Sequence, residues 1–169
     1  MNYSRLEKNL TDNIKEAQLK LGYDNRPMSL NYMSTSLSHL LDTECTEEIL
    51  AGFAEYVKNR LGKLDFRAIR DGWCITVSAE GTAYVNNLSG YDFLSELINT
   101  VREHGTTMNQ VLDIFRKYSE NITVKEIRND EFDLLVYSDI DEYCYCLTDE
   151  GCHITYHRFI REDYEDLGF

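Results

Sequence analysis

The 169 residues predict an α+β protein. Three observations point there. From Tyr3 to Leu61, apolar side chains recur at steps of three and four, as amphipathic helices require. From Asp65 the period drops to two and glycine-bearing turns appear, as antiparallel strands require. The same change recurs in the second half, with helices after Ser89 and strands after Ile122. The expected architecture is N-terminal helices, a three-stranded antiparallel meander, two further helices and a four-stranded antiparallel meander, the helices packing on the sheets. The chain reads as a single domain over residues 1–169, with residues 1–88 and 89–169 as subdomains.

The first helix is expected from Tyr3 to Leu21. Its stripe is Tyr3, Leu6, Leu10, Ile14, Ala17 and Leu21, with charged residues on the other face. Gly22 tolerates the left-handed backbone of a C-cap. A loop with Pro27 follows. Ser29 is placed to cap a second helix reaching Leu41, with Leu30, Met33, Leu37 and Leu40 as its stripe. Thr46 caps a third, where Glu47 and Glu48 suit the helix dipole and Leu50, Phe53, Val57 and Leu61 form the apolar face.

Strands are then expected at Asp65–Arg70, Trp73–Val77 and Thr82–Val85. Asp71-Gly72 and Ser78–Gly81 are the turns between them. A helical trio followed by strand, wing and strand also fits a winged helix, with Ser78–Gly81 as the wing. A DNA-reading winged helix wants basic residues on its third helix. Here that helix sets Glu47, Glu48 and Glu55 against Lys58 and Arg60, so a winged fold would bind protein rather than DNA.

Ser89 and Asp92 are spaced as a capping box for the next helix, which carries Leu94, Leu97, Ile98 and Val101 and stops at Gly105. Thr107 and Gln110 are spaced as another, ahead of Val111, Leu112, Ile114, Phe115 and Tyr118. Strands follow at Ile122–Ile127, Phe132–Tyr137 and the two arms of Glu142–Phe159. An acidic tail closes the chain. Ala68–Ser78 and Glu126–Ser138 are weakly alike, which suits either an old duplication or two meanders sharing turn chemistry.

Chemistry concentrates in Glu142–Phe159, which holds three of the five cysteines and two of the four histidines. Cys144, Cys146, His153 and His157 are the candidate zinc ligands, because thiolates and imidazoles are what a tetrahedral zinc site takes. The hairpin register decides whether they converge. A two-residue loop at Glu150-Gly151 sets Cys144 opposite His157 and puts all four on one face. A three-residue loop at Asp149–Gly151 pairs Thr148 with Cys152 and turns the histidines away. Apolar patterning favours the first and turn chemistry the second.

A cysteine nucleophile, Cys144 or Cys152 with His157 and Asp133, is the alternative use of the hairpin. Thiols inside strands lack the setting that stabilises thiolate, so no catalytic residue is assigned. Asp139-Ile-Asp-Glu lacks the spacing of a calcium loop and reads as a solvated turn. Tyr156, Arg158, Asp163 and Tyr164 form a candidate interaction surface, tyrosine and arginine being favoured in binding hot spots.

The net charge of −13 repels phosphate backbones. Arg67, Arg70, Lys125 and Arg128 come nearest to a basic stripe, and acids flank them. No nucleic-acid partner is expected. No segment approaches the ~20 apolar residues of a membrane span, so no membrane is expected either. The first residues lack a signal peptide's apolar run, which predicts a soluble, cytoplasmic protein with reduced thiols.

Several stretches bear a family likeness: Gln18-Leu-Lys-Leu-Gly-Tyr, Glu80-Gly-Thr-Ala-Tyr-Val, Phe132-Asp-Leu-Leu-Val-Tyr, Tyr143-Cys-Tyr-Cys and Tyr156-His-Arg-Phe. Together they resemble the motifs of an uncharacterised bacterial domain-of-unknown-function family over almost the full chain. The resemblance implies one continuous unit and supplies no activity, substrate or cofactor. The functional expectation is therefore an acidic, non-enzymatic protein-binding protein, adaptor- or immunity-like, with a basic partner and no cofactor. The alternative is a small metal-binding protein or enzyme centred on the Cys/His hairpin, with zinc.

Overall fold

A computed structural model describes residues 1–127 and 130–168. Arg128, named above among the basic residues, lies outside the described residues. So do Asn129, which shares with it one half of the internal likeness, and Phe169 at the end of the tail. The described residues form seven helices and two antiparallel sheets, in the expected order of α+β elements. None of these helices is long and apolar enough to cross a membrane. The chain divides into two compact units, Met1–Ser89 and Gly90–Phe169.

In the first unit, α1 (Tyr3–Leu21) is capped by Asn2, whose side chain accepts from Arg5 N, and ends at Gly22. Then come β1 (Met28–Met33), α2 (Ser34–Leu41), α3 (Glu47–Leu61), β2 (Leu64–Ile69), β3 (Gly72–Val77) and α4 (Ala79–Asn86). The sheet order is β1-β3-β2, all antiparallel. Helix–strand–helix–helix–strand–strand with the last strand central is a winged-helix arrangement. Its wing is the tight β2–β3 turn at Arg70-Asp71, with Asp71 left-handed at φ 61°. Leu6, Leu10, Ile14, Leu37, Phe53 and Ile75 are fully buried at its core. Each such side chain contributes about 1.5–3 kcal/mol relative to exposure.

Several expectations for this unit are corrected. Ser29 does not cap a helix, since Met28–Met33 is a strand hydrogen-bonded to β3. Thr82–Val85 is not the third strand. Ser78 caps α4, accepting from Gly81 N, so Ser78–Gly81 opens a helix and is not the wing. Nor is the far face of α1 wholly solvated, because Asn9, Thr11, Asp12 and Gln18 are buried while Leu21 is 85% exposed.

The buried polar groups meet β1 and α4. Tyr32 donates its hydroxyl to Asn9 Oδ1 at 3.0 Å, and Asn13 Nδ2 donates to both Asn9 Oδ1 and the Tyr32 hydroxyl. Gln18 Nε2 donates to Thr82 O at 2.8 Å. Two glycines permit close approach. A Cβ on Gly72 would lie 2.0 Å from Tyr32 O, and one on Gly81 would lie 2.4 Å from Leu61 O.

In the second unit, α5 (Asp92–Arg102) and α6 (Met108–Tyr118) precede β4 (Ile122–Glu126), β5 (Leu134–Ser138), β6 (Tyr143–Asp149) and β7 (Ile154–Ile160). The short α7 (Arg161–Asp166) follows. The sheet is the expected meander, β4-β5-β6-β7. Thr107 and Gln110 form the expected capping box at α6. Ser89 does not cap α5, which starts after Tyr91 without a side-chain cap bond. One sheet face meets the helices through Tyr145, which packs edge-on against Phe93 and Phe115 at 5.8 and 5.2 Å between ring centroids. Its hydroxyl donates to Asp141 Oδ2 at 2.7 Å.

Candidate functional site: the two faces of the C-terminal sheet

The β6–β7 register is neither of the two expected. Asp149 pairs with Ile154, leaving a four-residue loop, Glu150–His153. Asp149 Oδ1 accepts from Gly151 N at 2.8 Å, Glu150 N donates to His153 O at 3.0 Å, and Gly151 is left-handed at φ 92°. The longer loop serves both competing demands. Glycine takes its left-handed place, and Tyr143, Tyr145, Leu147, Ile154, Tyr156 and Ile160 still share one face.

Cys144, Cys146, His157 and Phe159 then share the opposite face, with Cys146 directly across from His157 and Cys144 across from Phe159. Three of the four candidate zinc ligands are thus on one face. The fourth, His153, sits in the loop with Nδ1 3.1 Å from Cys152 Sγ. Cys144 and Cys146 lie two residues apart on a strand, roughly 6.6 Å of rise. Sulfurs sharing one zinc would be about 3.8 Å apart, so the side chains would have to lean together.

Burial dominates the thiol chemistry. It pushes Cys146 up to about 12, with Cys144 adding to the effect. Cys144 is also raised by burial, against a hydrogen bond from Arg161 that favours its thiolate. Asp133 accepts from Asp149 N at 2.8 Å, closing the strand ends. The grouping of Cys144 or Cys152 with His157 and Asp133 is therefore divided between a strand face and a loop.

The candidate interaction residues are also divided. Tyr156 is buried against Tyr145, with ring centroids 5.9 Å apart. The Arg158 guanidinium covers the Tyr143 ring at 4.3 Å on that same face. Asp163 and Tyr164 belong to α7, and Tyr164 packs against the small core of Phe132, Leu135, Cys144 and Cys146 on the other face. These four residues form no single surface. The acidic turn after β5 is structured: Asp139 accepts from Asn121 at 2.9 Å and from Ser119, which hold it below the usual carboxylate range.

A family model described as a domain of unknown function, from an E. rectale gene description (DUF3877), matches residues 3–168. The chain belongs to the DUF3877 family. The match spans both units of this DUF3877 chain. Comparisons with curated proteins and with solved structures returned no match.

One feature of the DUF3877 sheet escaped the sequence reading. On the α7 side lies a cavity of about 200 Å³, lined by Lys125, Leu135, Tyr137, Cys144, Arg161, Tyr164 and Glu165. The Lys125 ammonium and the Arg161 guanidinium both lie against the Tyr137 ring, 5.6 and 4.9 Å from its centroid. Alternation along Ile122–Glu126 places Lys125 opposite Leu135, on the Cys146 face. That much was readable. The return of Arg161 over the same ring depends on α7, which no periodicity announces.

Proposed function

We propose that this chain is a non-enzymatic protein-binding protein, adaptor- or immunity-like, that docks a basic partner through its Gly90–Phe169 unit. One observation carries the reading: the acidity is segregated. Met1–Ser89 has ten Lys and Arg against twelve Asp and Glu, while Gly90–Phe169 has seven against eighteen. The first unit is nearly neutral at −2 and the second holds −11 of the net −13. Such a field steers and retains a partner of opposite sign.

Much of the charge lies at one end of the sheet. Asp130, Glu131, Asp133, Asp149 and Glu150 are all exposed around the loops after β4 and β6. The bonds Thr148 Oγ1 to Glu131 O and Asp149 N to Asp133 Oδ2 tie these loops together. The third helix of the winged unit points the same way, since Arg60 is engaged by Glu7 and Lys58 lies 3.7 Å from Glu55. Little of its positive charge remains for a phosphate backbone.

The test is affinity capture from cell extract with the full chain and a Asp130→Asn/Glu131→Gln/Glu150→Gln variant, at low and moderate salt. A basic protein held by the wild type, released by salt and lost from the variant is the expected result. No capture at either salt, or equal capture by the variant, would reject the reading.

A second reading, a metal-binding protein, is favoured by Cys144, Cys146 and His157 sharing a face. It predicts about one zinc per chain in protein purified without chelator or tag, lost in Cys146→Ser. Metal-free protein that takes up no added zinc would end it.

A further inference from the structure

Of the seven Lys and Arg in the Gly90–Phe169 unit, two converge on one ring. Lys125 comes from the edge strand β4, and Arg161 from the junction of β7 and α7. Among the described residues neither forms an ion pair with a carboxylate. In a unit with eighteen acids this is unexpected, because elsewhere in it cations do find acids: Arg116 pairs with Asp113 at 2.9 Å and Lys117 with Glu96 at 3.0 Å. The two unpaired cations border the 200 Å³ cavity, whose other walls include Leu135, Cys144 and Tyr164.

We propose that this cavity binds a small monoanionic carboxylate with a short apolar body. Its size decides the scale. Sites for drug-sized ligands occupy about 300–1,000 Å³, so 200 Å³ suits a headgroup with a few carbons and not a nucleotide. Its charge decides the sign and valence. Lys125 and Arg161 bring two positive charges and Glu165 one negative, a local excess of one, which matches a carboxylate better than a phosphate dianion.

The guanidinium supplies paired N–H donors for a carboxylate, and the ammonium a point charge beside it. Tyr137 holds both cations by cation–π contact. Arg161 also donates to Cys144 in the cavity wall, which leaves its other N–H groups and the Lys125 ammonium for a ligand. The net negative field of the unit does not override this pair, since screening confines distant charges to about 8–10 Å at ordinary ionic strength.

The test is an amide-resolved NMR titration of the full chain with acetate, benzoate and inorganic phosphate, each against sodium chloride at matched ionic strength. Saturable shifts at Lys125, Tyr137, Cys144 and Arg161 are expected with acetate. Benzoate should bind more tightly and phosphate more weakly. Arg161→Gln and Lys125→Gln should each weaken carboxylate binding at least tenfold while the rest of the spectrum stays unchanged. Lys125 is exposed on an edge strand, so its variant tests the site even if the loss of Arg161 disturbs α7. Shifts that never saturate, that chloride reproduces, or that persist in Lys125→Gln would overturn the proposal. Tighter binding of phosphate than of either carboxylate would overturn the assignment of the ligand. The site stands apart from the acidic loops of the protein-docking reading, so either can fail alone.

Discussion

Alkaline pH should destabilise the Gly90–Phe169 unit through Cys146, and by a calculable amount. The side chain is fully buried, and burial lifts its thiol from an ordinary value of 9.0 to about 12. The unfolded chain therefore releases this proton first. Stability from this group is unchanged below pH 9, falls as pH rises between about 9 and 12, and then levels off. One pH unit within that window corresponds to about 1.4 kcal/mol, so at pH 10 Cys146 removes up to about 1.4 kcal/mol. The assay is urea unfolding at pH 7 and pH 10, under reducing conditions, of the wild type and Cys146→Ala. The variant loses packing at both pH values. The signature is that the gap in stability between the two proteins narrows by about that amount at pH 10. A gap equal at both pH values would refute the reasoning. The same proton stands in the way of zinc, which must displace it to bind sulfur.

Three further perturbations follow from the packing. Tyr32→Phe should cost about 1–3 kcal/mol in urea unfolding of the full chain, because it strips the buried Asn9 and the half-buried Asn13 amides of a shared partner. Gly81→Ala should cost about 1–3 kcal/mol by driving a methyl group against Leu61 O and Val77 Cγ1. An unchanged midpoint would show that α4 does not press on the end of α3 as described. Thr107→Ala should cost about 1 kcal/mol and speed amide exchange in the first turn of α6, whereas Ser89→Ala should leave the exchange of α5 unchanged.

The helices and caps were largely legible, because their signals are local. Tyr3–Leu21 with Gly22, Thr46 before α3, and the Thr107/Gln110 box all appear where spacing put them. The failures share a cause in long-range pairing. Leu30, Met33, Leu37 and Leu40 continue one stripe across a junction, so β1 was absorbed into α2. Its pairing with β3, some forty residues away, overrides that pattern. Ser78-Ala-Glu-Gly offers both a turn and an N-cap; Ser78 takes the cap, accepting from Gly81 N, and Gly81 fits against Leu61 O, a contact that local spacing does not announce. At the hairpin, patterning and turn chemistry disagreed because both assumed a shorter loop. The Asp149 side chain, bonding Gly151 N, was the missing piece. The cavity at Tyr137 was invisible for a related reason, since its two cations are joined by topology and not by spacing.

The pairing of β1 has a consequence in time. Its partners lie 39 to 49 residues later, from Met33 opposite Gly72 to Met28 opposite Val77. At synthesis rates of about 5–20 residues per second, the ribosome needs roughly 2–10 s to deliver them. During that interval Met28–Met33 has no strand to join, and α1 has no Tyr32 hydroxyl seated against Asn9 and Asn13. The neighbouring β2–β3 hairpin turns on two residues and closes as soon as it emerges. The N-terminal unit must therefore be finished by a strand made early and docked late. Any chaperone or misfolded contact that competes for this unit has those seconds, and that strand, to act on.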